Sequence, residues 1–250
     1  MAGTDAAQAP IKRYGQLLDQ AGVCPSSLYE YARPPAGTGG GVSLAACLDR
    51  PSVLATALRQ KAGTIADFRD LRVHASVLQQ DLALSIIGPL VTRLFLEGES
   101  YLPEPSQIRL VPGVESPQWH FDSQGPQASM EVFVSRTAGL VNAWYPVFRQ
   151  EFGVSPGAYW SSVGLALCAP FSALWDKAPP EALCRQATGW LELFDCDAGE
   201  FIDWIPAEFN QQQCAIPQRR GCCLKFKLPE EGYCGTCGVY RKERMSDCRE

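Results

Sequence analysis

The sequence predicts a mainly α (α+β) protein, with a helical body, a short β-hairpin and a C-terminal cysteine-rich segment. Three observations carry that prediction. Apolar residues recur at three- and four-residue steps through most of the chain up to Phe194. Period-two alternation is confined to a short central interval and to a run beside the C-terminal cysteines. Four of the eleven cysteines crowd into the stretch from Cys222 to Cys237.

From Asp5 to Ala21, the spacing of Ile11, Tyr14, Leu17 and Leu18 predicts an amphipathic helix that Gly22 ends. Residues 34–41, rich in proline and glycine, read as a linker or mobile loop. No Gly-Lys-Ser/Thr follows, which argues against a phosphate loop. Ser43 to Gln60 and Thr64 to Gly98 are helical in pattern. The second helix should bend near Pro89, whose ring removes a hydrogen bond, and bury Ile86, Ile87, Leu90, Leu94 and Phe95. His74 on this helix reads as a core histidine. Gln107 to Val111 and Pro117 to Phe121 predict the two strands of the hairpin. Helical periodicity returns from Met130 to Phe152; Ser155-Pro156 starts a further helix toward Trp175, with serine as cap and proline in the first turn. Pro180 to Phe194 gives a last amphipathic helix. The expected division is a mainly helical body over 1–213 and a C-terminal cluster-binding segment over 214–250 packed on it.

The cysteine pattern is C-C-x10-C-x2-C, on Cys222, Cys223, Cys234 and Cys237. Four thiolates able to converge, in a chain whose N-terminus lacks the pattern of a signal peptide, point to a metal or iron–sulfur site before disulfides. Structural zinc sites favour knuckles with at least two residues between ligands, and neighbouring side chains on an extended backbone leave on opposite faces. A binuclear cluster tolerates such divergence, so a 2Fe-2S cluster ranks above zinc, with Gly221 available to supply a bend. The spacing is not that of plant-type or bacterial ferredoxins. Leu224, Phe226 and Leu228 alternate with Lys225 and Lys227 as a half-buried strand would, Pro229 to Gly232 reads as a turn, and the chain is expected to return Cys234 to the starting pair.

The run from Arg219 through Cys222-Cys223 to Pro229, followed by Cys234-Gly-Thr-Cys237, resembles the C-terminal signature of the FhuF-like ferric siderophore reductases. Pro156 to Leu174 is a weaker echo, with Ser161 and Ser162 where that family suggests a Gly-Asn type of pair. The resemblance implies a 2Fe-2S cluster on the four cysteines and one-electron reduction of a ferric siderophore in the cytoplasm, releasing Fe2+ for iron assimilation. No Gly-x-Gly-x-x-Gly fingerprint is present for a nicotinamide or flavin, so electrons are expected from an external donor, a ferredoxin or a flavin-dependent reductase. Transient contact with an inner-membrane siderophore importer is a further expectation.

Charge divides unevenly. Between Arg219 and Arg244 seven basic side chains stand against three acidic ones, a net +4 that leaves −9 on the rest of a chain of formal charge −5. Arg219, Arg220, Lys225 and Lys227 are therefore candidates for docking the chelate or the donor, and nearby cations should raise the cluster's potential. His120 and Trp160 are further substrate-binding candidates, with Trp119, Trp144 and Tyr145 as aromatic lining; His120 would donate a proton to a ligand oxygen as iron leaves. An isoelectric point of about 5.2 with one small basic patch argues against nucleic acid. The most apolar stretch, Ala83 to Phe95, is too short to span a bilayer. The rival reading is a non-enzymatic zinc- or cluster-binding structural or regulatory protein; a carboxylate metal site at Asp195, Asp197, Glu200 and Asp203 ranks below a solvated loop.

Overall fold

The computed structural model describes residues 9–37, 40–61, 68–112, 117–121, 125–209, 211–228 and 232–237. Among the described residues it is 57% helical with three small sheets, which is the mainly α (α+β) class. The helices are α1 (Ala9–Ala21), α2 (Leu44–Asp49), α3 (Pro51–Lys61), α4 (Phe68–Leu82), α5 (Gly88–Glu97), α6 (Met130–Pro146), α7 (Pro156–Leu167), α8 (Ala169–Ser172) and α9 (Pro180–Leu191).

The central element is α7. Its sequence has no charged residue, and every residue from Ala158 to Leu167 is buried, as expected of a helix apolar on all sides. The Ser155 hydroxyl accepts from the Ala158 N–H and caps it, with Pro156 in the first turn. α4, α5 and the turn between them pack along it. That turn, Ala83–Ile87, is a π-helical turn immediately before Gly88-Pro89. The helix thus absorbs the missing proline N–H by widening one turn.

Around this helix lies an aromatic core. Tyr14, Phe95, Phe171 and Trp190 meet edge to face with centroids 4.7–5.6 Å apart. Their polar tips are satisfied: Tyr14 donates to the Pro170 carbonyl at 3.0 Å and Trp190 to that of Leu167 at 2.8 Å.

The predicted hairpin forms from β3 (Ile108–Val111) and β4 (Gln118–Phe121), antiparallel with Ile108 opposite Phe121. A two-residue strand, β1 (Val42–Ser43), adds to its edge. β2 (Glu99–Tyr101) pairs with β5 (Gln127–Ser129). The stretch expected as a linker runs against this sheet, its Pro35 carbonyl accepting from the Phe121 N–H at 2.8 Å. Residues 38 and 39 and the expected helix start at 5–8 lie outside the described residues.

One long hairpin has no counterpart in the sequence reading. β6 (Ile202–Phe209) and β7 (Gln212–Arg219) pair over eight residues each and pack on α9. Gln211 turns the chain with φ 65°. The expected boundary at 213/214 falls inside β7, so the strand that leads into the cysteines is itself paired to the body. Among the described residues no helix is long and apolar enough to cross a membrane.

Candidate iron–sulfur site and adjoining cleft

The cysteine segment leaves β7 at Arg219 and crosses the N-terminal end of α7. There Gly221 lies against Gly157 so closely that a β-carbon on Gly221 would overlap the Gly157 carbonyl. Gly221 therefore serves close approach rather than a bend through positive φ. The sharp turn falls three residues later, at Leu224, which adopts φ 65°. The expected strand over 224–228 is instead a single 3-10 turn, Lys225–Lys227. A left-handed residue ends the extended run that alternation suggested, and short turns override a period-two pattern of this length. Residues 229–231 of the expected turn lie outside the described residues.

This path brings two of the four thiols into contact. Cys223 and Cys234 have their Sγ atoms 3.9 Å apart. Cys222 is half-buried and its Sγ accepts from the Leu224 N–H at 3.4 Å, so the left-handed turn aims an amide at sulfur. Cys237 is buried, and its N–H donates to the Cys234 carbonyl at 2.9 Å, closing the Cys-Gly-Thr-Cys knuckle. Burial raises the Cys222 thiol, and Cys237 and Cys234 add to that effect through charge repulsion. The hydrogen bond it shares with Cys234, helped by the Lys225 N–H and the charge of Arg219, brings the Cys223 thiol down to about 6, while its partner Cys234 is pushed up.

As they stand, no three His, Cys, Asp or Glu side chains among the described residues are gathered tightly enough for one metal ion. A zinc ion needs four ligands on one tetrahedron, whereas a 2Fe-2S cluster spreads four thiolates over two irons. The contact between Cys223 and Cys234 would give such a centre two of its four thiolates side by side.

Arg219 adds an independent sign. Its guanidinium is buried, at 3% exposure. It donates to Gln80 Oε1 at 2.9 Å, Ser161 Oγ at 2.9 Å, Ser162 Oγ at 2.8 Å and the Ala158 carbonyl at 3.2 Å, with Cys234 Sγ 4.0 Å from Nη1. All of its oxygen partners are neutral, and no carboxylate forms an ion pair with it among the described residues. A buried cation is costly unless an anion accompanies it. Thiolates carrying an anionic cluster supply that anion, so the residues present fit the group.

Residues 219–237 match the FhuF 2Fe-2S C-terminal domain. The match implies a 2Fe-2S cluster. It spans the segment from Arg219 to Cys237, with the buried arginine at one end and the last thiol at the other. No curated protein matches the chain.

A cleft of about 950 Å³ opens beside this FhuF-like segment. Cys234, Gly235 and Thr236 form part of its wall; Leu84, Pro89, Leu165 and Ala169 supply apolar surface. Tyr31, Arg33, Trp175 and Lys177 stand along it with Glu30 and Asp176, so cations and carboxylates balance. The volume is that of a site for a drug-sized ligand.

The other sequence-derived candidates are placed elsewhere. Arg220 points outward and makes a bidentate pair with Asp203, at 2.7 and 2.6 Å, plus a bond to the Glu200 carbonyl. Lys225 and Lys227 flank Phe226, which stacks on Tyr233 with centroids 5.0 Å apart. Trp160 is buried at 2% exposure against Tyr145 and Tyr159. Trp119 and Trp144 are buried as well, and His120 lies on β4 with its ring over Gly37. The aromatic pocket read from the sequence is thus largely core. Tyr31 and Trp175, which do line the cleft, carried no sequence signal beyond being aromatic.

Proposed function

We propose that the protein is a cytoplasmic ferric siderophore reductase, delivering one electron to Fe3+ held by a chelate in the cleft. One observation carries the reading: Cys234 belongs both to the thiol group, 3.9 Å from Cys223, and to the wall of the 950 Å³ cleft. A ligand seated there contacts a thiol of the candidate site without an intervening layer of protein.

Cys222, Cys223, Cys234 and Cys237 hold the 2Fe-2S cluster, which supplies a single electron when bound. Tyr31 and Trp175 offer flat apolar faces to the chelate, and Thr236 a hydroxyl close to Cys234. No bond of the siderophore need break. Iron(II) is less charged and softer than iron(III), so hard oxygen donors hold it weakly and it passes to competing ligands. Phe226, Tyr233 and Lys227 present a part-exposed aromatic and basic surface on the cysteine segment, suited to an acidic ferredoxin or a flavin-dependent donor.

The test is to purify the protein without oxygen, reduce it with dithionite and add ferric siderophores of several chemical classes. The expected result is a visible iron–sulfur spectrum that bleaches on reduction and returns on addition of a chelate, and that is absent from Cys234→Ser. A coloured protein that no chelate reoxidises would overturn the reductase reading. A colourless protein with stoichiometric zinc would overturn the cluster with it.

A further inference from the structure

We infer that Arg219 is the fixed counter-charge of the cluster and sets its reduction potential, while Ser161, Ser162 and Gln80 form the neutral cradle that makes it so. The inference rests on the cluster of the proposed function and not on the substrate.

Of the basic side chains described in the cysteine segment, Arg219 is the buried one. Arg220 is exposed and spends its charge on Asp203, and Lys227 is exposed to water. Charges in those positions are screened by salt and solvent. Arg219 is buried, and its guanidinium is held by three neutral side chains and one backbone carbonyl. Neutral acceptors satisfy its N–H groups without cancelling its charge. An arginine does not lose its proton in a protein. The full positive charge therefore persists in a low-dielectric setting, with Nη1 4.0 Å from Cys234 Sγ.

The adjacent serines acquire a purpose here. Ser161 and Ser162 follow one another on the buried helix α7, and both hydroxyls accept from Arg219 while donating to helix carbonyls, Ser161 to Gly157 at 2.5 Å and Ser162 to Ala158 at 2.8 Å. A carboxylate at either place would neutralise the arginine. Gln80 does the same work from α4 and also lines the cleft, so the cradle extends to the surface where the chelate would lie.

One-electron reduction adds one negative charge to an already anionic centre. A fixed cation beside it favours the reduced state and raises the potential. Removing the cation while keeping a neutral polar side chain must lower it. Arg219→Lys keeps the charge and loses the fork.

The experiment is an equilibrium redox titration of cluster-loaded wild type, Arg219→Gln and Arg219→Lys, followed by visible absorbance with no siderophore present. Arg219→Gln is expected to disfavour reduction at least tenfold, a downward shift of about 59 mV or more for one electron, with Arg219→Lys nearer to wild type. If Arg219→Gln retains no cluster, Arg219→Lys must retain one; loss from both assigns the arginine a purely structural role and overturns the inference. Equal potentials in wild type and Arg219→Gln, or equal shifts in both variants, overturn it as well. A wild type without an iron–sulfur spectrum removes the premise and the proposed function together, whereas a coloured wild type with an unmoved Arg219→Gln potential defeats this inference alone.

Discussion

Gly221 and Gly157 meet backbone to backbone, and Gly221 leaves no room for a side chain of its own. A β-carbon on Gly157 would approach the Gly221 Cα to 3.1 Å, and one on Gly221 would overlap the Gly157 carbonyl itself. This contact seats the cysteine segment on the N-terminal end of α7, where the helix dipole is positive. Gly221→Ala is therefore expected to cost about 1–3 kcal/mol or more, as overpacking against rigid backbone does, and to lower cluster content. Gly157→Ala should be milder. Urea unfolding followed by far-ultraviolet circular dichroism, with visible absorbance for the cluster, checks both. An unchanged midpoint in Gly221→Ala would mean that the two backbones do not touch in solution.

Leu224 is the other backbone constraint. A leucine at φ 65° stores strain of about 1–2 kcal/mol, and its N–H is the one aimed at Cys222 Sγ. Asparagine accepts this conformation readily and a β-branched residue does not. Leu224→Asn should leave stability within about 1 kcal/mol of wild type, while Leu224→Val should lose about 2 kcal/mol. The order of the two unfolding midpoints is the readout, and a reversed order would refute the strained turn.

The thiol pair predicts a pH dependence for cluster-free protein. Cys223 is lowered to about 6 by the hydrogen bond it shares with Cys234, while Cys234 is raised, so the pair shares one proton at neutral pH. A depressed acid stabilises the fold above its unfolded value, and that contribution is lost as pH falls through about 6. Ultraviolet thiolate absorbance of the cluster-free protein should show one early titration near pH 6, and Cys234→Ser should shift it. A first thiolate that appears only in the alkaline range would contradict the pairing.

The cleft makes a kinetic prediction. Trp175→Ala and Tyr31→Ala remove aromatic surface from the cleft proposed to hold the chelate without touching the thiols. KM for the ferric chelate should rise about tenfold, near 1.4 kcal/mol, with the cluster's potential unmoved. Unchanged kinetics in both variants would place the chelate elsewhere.

Much of this architecture is legible in residue order. The helices from Met130 to Leu191 follow from apolar spacing, Ser155 and Pro156, and the β3–β4 hairpin from alternation between turn residues. The β6–β7 hairpin is not legible, because Pro206 and Pro217 interrupt its strands and three glutamines occupy its turn and first pairs. Proline is tolerated there because the ladder has only two strands, leaving outer edges where no N–H is needed. The four C-terminal cysteines stand out by spacing alone. The burial of Arg219 is not, since arginine is mostly a surface residue and nothing nearby in the chain announces the partners that α4 and α7 contribute.

Because side chains alternate along a strand, the pairing of β6 with β7 decides which of two consecutive arginines points inward. Ile202 opposite Arg219 puts that arginine on the covered face, and Arg220 then emerges toward Asp203. A slip of one residue would exchange them, sending the cation out to bulk water and the other arginine into a space shaped for its neighbour. On the reading of Arg219 as the cluster's counter-charge, the ladder between Ile202 and Arg219 is an electrical setting as well as a mechanical one: a slip of register would carry that charge away from Cys234 without altering any group near the cysteines in sequence.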